Sequence, residues 1–219
     1  MSDQDSRPRN RLRRGILWAL CILSGIAIGG LVVYQVWLKP KYPYGASHSC
    51  SKGLGLDLRI FANANDGWFP HGMKTPEASL SLLCTNDPNV RLILRGKHLP
   101  QEIVDQSLAS DGVLGPASCG WHYIEGLRED DDPQLAVLWD RITGLGHNGQ
   151  RRSGLEREVV MIDGSAQQIS KEAWPAFVRE QKKLLAETAA NRPPNSPPIR
   201  WSDEQTLGPN TAKPSALKR

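Results

Sequence analysis

A long apolar stretch near the N-terminus, Gly15 to Leu38, places the strongest limit on what this chain can fold into. It contains about 24 residues without a charge, and twelve of them are Leu, Ile or Val. As a helix the stretch is roughly 36 Å long, against a hydrocarbon core of about 30 Å. Each aliphatic residue favours insertion at the bilayer centre by about 0.3 to 0.6 kcal/mol. We therefore predict a transmembrane helix over 15–38.

Two alternatives for this stretch are a buried helix of a soluble protein and a cleaved signal peptide. The aromatic residues Trp18, Tyr34 and Trp37 lie near its ends, where such rings prefer the headgroup level of a bilayer. The apolar core is too long for an ordinary signal peptide, and no A-x-A-like cleavage site occurs before Lys39. We therefore expect an uncleaved signal-anchor.

Basic residues on either side of the stretch predict its orientation. Five arginines precede it and two lysines follow it, namely Arg7, Arg9, Arg11, Arg13, Arg14, Lys39 and Lys41. Because basic residues favour the cytoplasmic side, we predict that 1–14 is a basic cytoplasmic arm. The rest of the chain then lies outside the cell (inner) membrane. The arginines also attract anionic lipid, so the net charge of +4 requires no nucleic-acid partner.

The remainder of the chain is polar and large enough for one domain. Its 219 residues are 39% hydrophobic and have a mean hydropathy of −0.42, which excludes a multispan transporter. We predict a short linker over 39–46 and a single extracytoplasmic domain over 47–187. Prolines in a polar background predict a disordered tail over 188–219.

Helical patterns occur at both ends of this domain. Leu54, Leu58 and Phe61 recur at helical spacing after Cys50, which predicts an amphipathic helix packed on the domain. Thr75 is expected to cap a short helix, and 174–185 predicts a final amphipathic helix.

Short apolar runs between these helices predict strands. The runs are 90–94, 120–124, 135–139, 158–162 and 166–169. Asp163-Gly164 is expected to form a two-residue turn of type I′ between the last two. The fold class predicted is α+β, with the amphipathic helix covering one face of a small antiparallel sheet.

Two stretches of the domain resemble a known family. The run 50–70 contains Cys50, then Gly-Leu-x-Leu at 55–58, and Asp-Gly-x-Phe-Pro at 66–70, and 158–167 contains a strand, an Asp-Gly turn and a second strand. This pattern resembles the prepilin-like, pseudopilin-related proteins of the type II secretion G-protein kind. The motif residues are Gly55, Leu56, Asp66, Gly67, Phe69, Pro70, His147, Asp163 and Gly164.

The resemblance implies a pseudopilin-like domain in a secretion or pilus-type assembly. Two positions depart from the family pattern: His147 lies sixteen residues before Asp163 instead of about ten, and Leu20 stands where assembling members carry the Glu of the prepilin cleavage motif. We therefore expect the N-terminal arm and span to be retained and no long filament to form. Gly25 and Gly29 form a small-x-x-x-small pair through which two membrane helices can approach.

Three cysteines, Cys50, Cys84 and Cys119, follow the predicted span and would face an oxidising compartment. The sequence leaves all three pairings open. We expect a disulfide between Cys84 and Cys119, since Cys50 lies on the apolar side of its helix, where a thiol behaves as a small hydrophobe.

No pattern in the sequence is typical of a catalytic or metal site. Five histidines are scattered without an H-E-x-x-H arrangement, and the acidic run 129–132 lacks the alternation of a calcium loop. We predict no catalytic residue, no metal ligand and no cofactor. The predicted function is a membrane-anchored structural or interaction protein whose partners are the lipid bilayer and other proteins, among them a second copy. The alternative is a membrane-tethered ligand-binding or enzymatic domain on the same fold.

Overall fold

A computed structural model describes residues 7–38, 50–146, 154 and 156–210. The chain divides into two units, residues 1–46 and 47–219. In the first unit, helix α1 (Arg7–Val33) continues into a π-helical turn, Tyr34–Leu38. The segment Arg14–Trp37 has a mean hydropathy of 2.5 and is not buried. The segment is long and apolar enough to cross a membrane. A signal sequence near the N-terminus can have the same length and apolar composition.

The second unit begins with six short helical segments, all but one of them α-helical. These are α2 (Cys50–Asn63), α3 (Pro76–Leu80), α4 (Leu83–Asn86), a 3-10 turn (Pro88–Val90), α5 (Arg91–Leu94) and α6 (Gln101–Asp111). The prediction of α2 is confirmed, because Leu54, Leu58 and Phe61 are buried. The predicted cap of α3 is also confirmed, since the Thr75 hydroxyl accepts a hydrogen bond from the Ala78 N–H.

The second half of the unit contains an antiparallel sheet and two further helices. The strands are β1 (Trp121–Glu125), β2 (Ala136–Asp140), β3 (Arg157–Met161), β4 (Ala166–Ile169) and β5 (Arg200–Trp201). Their order is β4-β3-β2-β1-β5. Helix α7 (Trp174–Asn191) precedes β5, and α8 (Glu204–Leu207) follows it. The α+β class with a small antiparallel sheet is thus the observed architecture.

Helices cover both faces of the sheet, whereas the sequence predicted cover on one. Side chains alternate along a strand, so Trp139 and Asp140 of β2 point to opposite faces. The face that carries Asp140, here called the first face, packs against α2 and α3. On the same face, the Trp121 Nε1–H donates to the Ile93 carbonyl of α5. The second face packs against α7, where the ring of Trp174 contacts that of Trp139. The sheet is therefore the middle layer of the unit.

The predicted strand over 90–94 is wrong. This segment is helical, since the Asp87 carboxylate caps the 3-10 turn and Pro88 occupies its first position. Val90 and Leu94 are buried while Leu92 is exposed. That spacing of four residues is helical, and the short apolar run did not distinguish it from a strand.

The predicted type I′ turn at Asp163-Gly164 is also wrong. A type I′ turn needs positive φ at both residues, but only Gly164 (φ 81°) has it. The Gly164 N–H donates to the Met161 carbonyl, and the Met161 N–H donates to the Ser165 carbonyl. This is a three-residue hairpin loop in which Gly164 takes the left-handed position.

The predicted disordered tail is wrong for 188–210, and the domain extends beyond residue 187. Helix α7 continues to Asn191, and β5 pairs with β1 through Trp201 and Ile124. Asp203 and Leu207 are buried. The apolar residues between the prolines therefore make contacts with the rest of the domain that the proline-rich composition does not predict.

The predicted Cys84–Cys119 disulfide is absent, because both are free thiols. Cys119 is buried, and its Sγ donates to the Trp121 carbonyl within its own segment. Burial raises the pKa of Cys119 to about 12 and that of Cys84 to about 11. Both thiols are therefore protonated, and Cys119 packs as a small apolar side chain.

Candidate functional site

The motif residues of the two stretches meet where α2 crosses the β3–β4 hairpin. A Cβ added at Gly55 would lie 2.9 Å from the Gly164 carbonyl oxygen and 3.0 Å from Val160 Cγ1. The Arg59 guanidinium also donates to the Asp163 carbonyl at 3.3 Å. The helix can therefore approach the hairpin this closely only with glycine at position 55.

The motif residues after α2 anchor its exit in the core. Asp66 and Gly67 both have positive φ, 52° and 80°, as expected for a left-handed helix end. Phe69 is buried. The Pro70 carbonyl accepts a hydrogen bond from the Tyr123 hydroxyl at 2.7 Å. His147 lies outside the described residues.

Leu56 differs from Phe69, the other large apolar motif residue, because Leu56 is 60% exposed whereas Phe69 is buried. Ile60, one helical turn later, is 51% exposed. Together they form an apolar patch on the side of α2 that faces away from the core, here called the α2 patch. The family motif drew attention to Leu56, but sequence reasoning missed the patch, because it counted only residues on the inner side.

Lys97 lies between two carboxylates on the first face of the sheet. Its Nζ is 2.7 Å from Asp140 Oδ2 and 2.5 Å from Glu158 Oε2, and the Ser51 hydroxyl of α2 donates to Glu158. The Lys97 side chain is only 4% exposed. These four residues, here called the lysine cluster, join α2, the turn after α5, β2 and β3.

The lysine cluster holds charge in a desolvated position. Burial raises the pKa of Asp140 to about 6, although the Lys97 ammonium and the hydrogen bond from the Glu158 N–H act in the opposite direction. Sequence reasoning missed this cluster. A usable signal was an acidic residue at the end of an otherwise apolar strand, but its partner Lys97 lies 43 residues away.

A different polar group lies on the second face of the sheet. Asp203 accepts a hydrogen bond from Trp139 Nε1 at 3.0 Å and lies 3.6 Å from His122 Nε2. We call these three residues the histidine cluster. Burial lowers the pKa of His122 to about 4, despite the Asp203 carboxylate. Burial alone would raise the pKa of Asp203, but His122 and hydrogen bonds from Thr206 and Trp139 lower it.

Both clusters are enclosed, which limits what they can do chemically. The carboxylates of the lysine cluster are 4% and 12% exposed, so access for a substrate is small. In the described part of the chain, no group of three or more His, Cys, Asp or Glu side chains is placed to hold a metal ion. The geometry of both clusters is that of tertiary anchors between helices and sheet.

Comparison of the chain with protein-family models, curated proteins and solved structures gave no match. The resemblance to pseudopilin-related proteins therefore depends on the motif residues of the sequence. The structure places two of them, Gly55 and Gly164, in contact across a separation of more than one hundred residues.

Proposed function

We propose that this is a single-pass membrane protein whose extracytoplasmic domain acts by binding other proteins. The pseudopilin-like motifs support a subunit of a secretion or pilus-type assembly. The exposed apolar segment Arg14–Trp37 supports the anchor, and the arginines before it support a cytoplasmic N-terminus. The proposal assigns the domain no catalytic reaction.

The single observation that carries the proposal is the α2 patch. Leu56 and Ile60 are exposed on a helix whose other side is packed on the domain, and α2 is the first described element after the π-helical turn that ends at Leu38. Two side chains are a small contact area for partners that meet in solution. Confinement to one membrane raises the effective concentration of a partner. We therefore assign the patch to a helix of another membrane-anchored subunit.

Site-specific photo-crosslinking in native membranes tests this assignment. A photoreactive phenylalanine at Ile60 is expected to form one discrete adduct with a membrane-anchored protein, identified by mass spectrometry. The change Leu56→Glu is expected to remove that adduct without changing the circular dichroism of the domain. Ile103 on α6, which is 41% exposed, is the control position and should not give the adduct. Adducts equal at both positions, or with soluble proteins only, contradict the proposal.

A separate feature favours the second candidate, a membrane-tethered ligand-binding domain. An apolar groove lies beside the C-terminal half of α7. One of the residues that line it, Lys182, carries a positive charge. A concave, mostly apolar groove suits a ligand better than a flat protein contact. A binding assay on the groove distinguishes this candidate from the assembly role, because the α2 patch lies on another helix.

A further inference from the structure

The groove lies between α7 and the segment that returns from Asn191 to the edge of the sheet. Its volume is about 640 Å³, within the range of about 300 to 1,000 Å³ of small-molecule sites. Four residues of α7 line one wall at helical spacing, namely Lys182, Leu185, Ala186 and Ala189. The opposite wall contains five prolines together with Ile199, Trp201 and Leu207.

Both walls of the groove are fixed by hydrogen bonds to the sheet. On α7, the Gln181 side chain accepts from the Ala136 N–H at 2.8 Å and donates to the Gln134 carbonyl at 2.9 Å. On the other side, β5 pairs with β1, and the Arg200 guanidinium donates to the buried Glu125 carboxylate. A groove with fixed walls loses little conformational entropy on binding.

The lining favours an alkyl chain over a peptide. A peptide brings backbone groups that need hydrogen-bond partners, but the prolines have no N–H to donate. The N–H groups of Ser196, Trp201 and Gly208 are already bonded within the protein. The indole N–H of Trp201 is also occupied, since it donates to the Gly208 carbonyl at 2.7 Å. An alkyl chain needs none of these partners.

The charges on the groove favour an anionic end. Its two charged lining residues are both cations, Lys182 and Arg192. Arg192 is held by the Asp131 carboxylate and the Gly126 carbonyl. Lys182 is exposed and has no ion-pair partner within the described ranges. Residues 211–219 contain three cations and no acidic side chain, so like charge disfavours that segment as the occupant.

We propose that the groove binds a fatty acid, with the carboxylate at Lys182 and the alkyl chain between Ala189 and Trp201. This inference depends on the groove alone and is independent of the proposed assembly role. Burial of a methylene group contributes about 0.8 kcal/mol. Shortening the chain from dodecanoate to decanoate is therefore expected to weaken binding about tenfold.

Photolabelling of the full chain in phosphatidylcholine nanodiscs tests the proposal. The probe is dodecanoic acid with a diazirine at the end of its chain, and labelled sites are mapped by peptide mass spectrometry. We expect label on 185–209, removed by excess dodecanoate but not by dodecyl maltoside, whose head is neutral. The change Lys182→Gln is expected to reduce the labelling two- to fivefold, as for an exposed charge contact.

A matched pair of α7 variants separates filling of the groove from damage to the helix. Ala189→Trp fills the groove and is expected to remove the label. Ala190→Trp places the same side chain on the exposed neighbouring residue, which does not line the groove, and should leave the label unchanged. The proposal is overturned if label lies only on 15–38, if Ala189→Trp is labelled like the wild type, or if dodecyl maltoside competes as well as dodecanoate.

Discussion

The lysine cluster and the histidine cluster occupy opposite faces of one strand and bury polar groups in different ways. Asp140 and Trp139 are neighbours on β2, yet Asp140 reaches Lys97 while Trp139 reaches Asp203. The first face relies on full charges held within 2.5 to 2.7 Å. The second holds a single carboxylate, Asp203, against the Trp139 indole N–H and a histidine that burial keeps neutral.

This difference predicts different weaknesses. A buried ion pair contributes little net stability, but removal of one partner leaves an uncompensated charge. A buried neutral histidine does not lower the free energy of unfolding at neutral pH. In acid it does, because the unfolded state binds a proton there more readily than the folded state. We therefore expect the first face to be sensitive to substitution and the second to be sensitive to low pH.

The largest effect is expected for Lys97→Met. It leaves the carboxylates of Asp140 and Glu158 buried without their cation, so the free energy of unfolding should fall by about 3 to 5 kcal/mol. Urea unfolding of the full chain in neutral detergent, followed by tryptophan fluorescence, measures this. The control Lys182→Met, at an exposed position of α7, should change stability by less than about 0.5 kcal/mol. If Lys97→Met lowers the free energy of unfolding by less than about 1 kcal/mol, the expected difference between the two faces is contradicted.

The pH dependence of the two faces is expected to have opposite signs. The folded pKa of Asp140, about 6, is above its ordinary value of 3.8, so the native state holds more protons there and stability falls as pH rises from 4 to 6. The folded pKa of His122, about 4, is below 6.5, so its contribution is lost as pH falls from 6.5 to 4. Each of these two groups is expected to change the free energy of unfolding by roughly 2 to 3 kcal/mol across its pH range.

Single variants separate these two contributions. Asp140→Asn removes the contribution of Asp140, so stability should rise with pH between 4 and 6 more steeply than in the wild type. His122→Gln removes the contribution of His122, so stability should fall with pH across the same window. Urea unfolding at pH 4, 5, 6 and 7 measures both. Parallel pH profiles for the two variants would show that the clusters do not differ in this way.

A smaller effect is expected for Asp203→Ala on the second face. The change leaves the buried Trp139 indole N–H without its acceptor and removes the side-chain cap of α8 at Thr206. The expected loss is about 1 to 3 kcal/mol. Asp203→Asn keeps an acceptor oxygen and serves as the matched control, so it should lose less. Equal losses for the two variants would mean that the charge of Asp203 matters more than its hydrogen bonds.

The smallest effect is expected for Arg157→Gln. The guanidinium lies 4.6 Å from the Trp174 ring centroid and donates to the Asp140 carbonyl. Loss of the cation–π contact and this hydrogen bond should cost about 1 kcal/mol. Arg179→Gln on α7 is the control and should be neutral in the same denaturation assay. A cost for Arg157→Gln as large as that for Lys97→Met would show that the second face also depends on charge.

The elements that sequence predicted well are those set by local pattern. Helix α2 was predicted because Leu54 and Leu58 follow the helical period, and the cap of α3 because Thr75 precedes Pro76. The segment 90–94 was predicted wrongly, since a short apolar run fits a strand and a helix equally. The order of 188–210 was missed because its prolines dominate the composition while Trp201 and Leu207 supply the packing.

The sequence by itself determined the apolar segment of α1 and the amphipathic pattern of α2, since length, period and capping act within a few residues. Only the tertiary structure decided which distant groups meet. Lys97 reaches Glu158, Gly55 touches Gly164, and the groove forms where α7 passes the segment after it. These contacts join residues that no local pattern relates, because burial of a charge or close approach of two backbones depends on the packing of the whole unit.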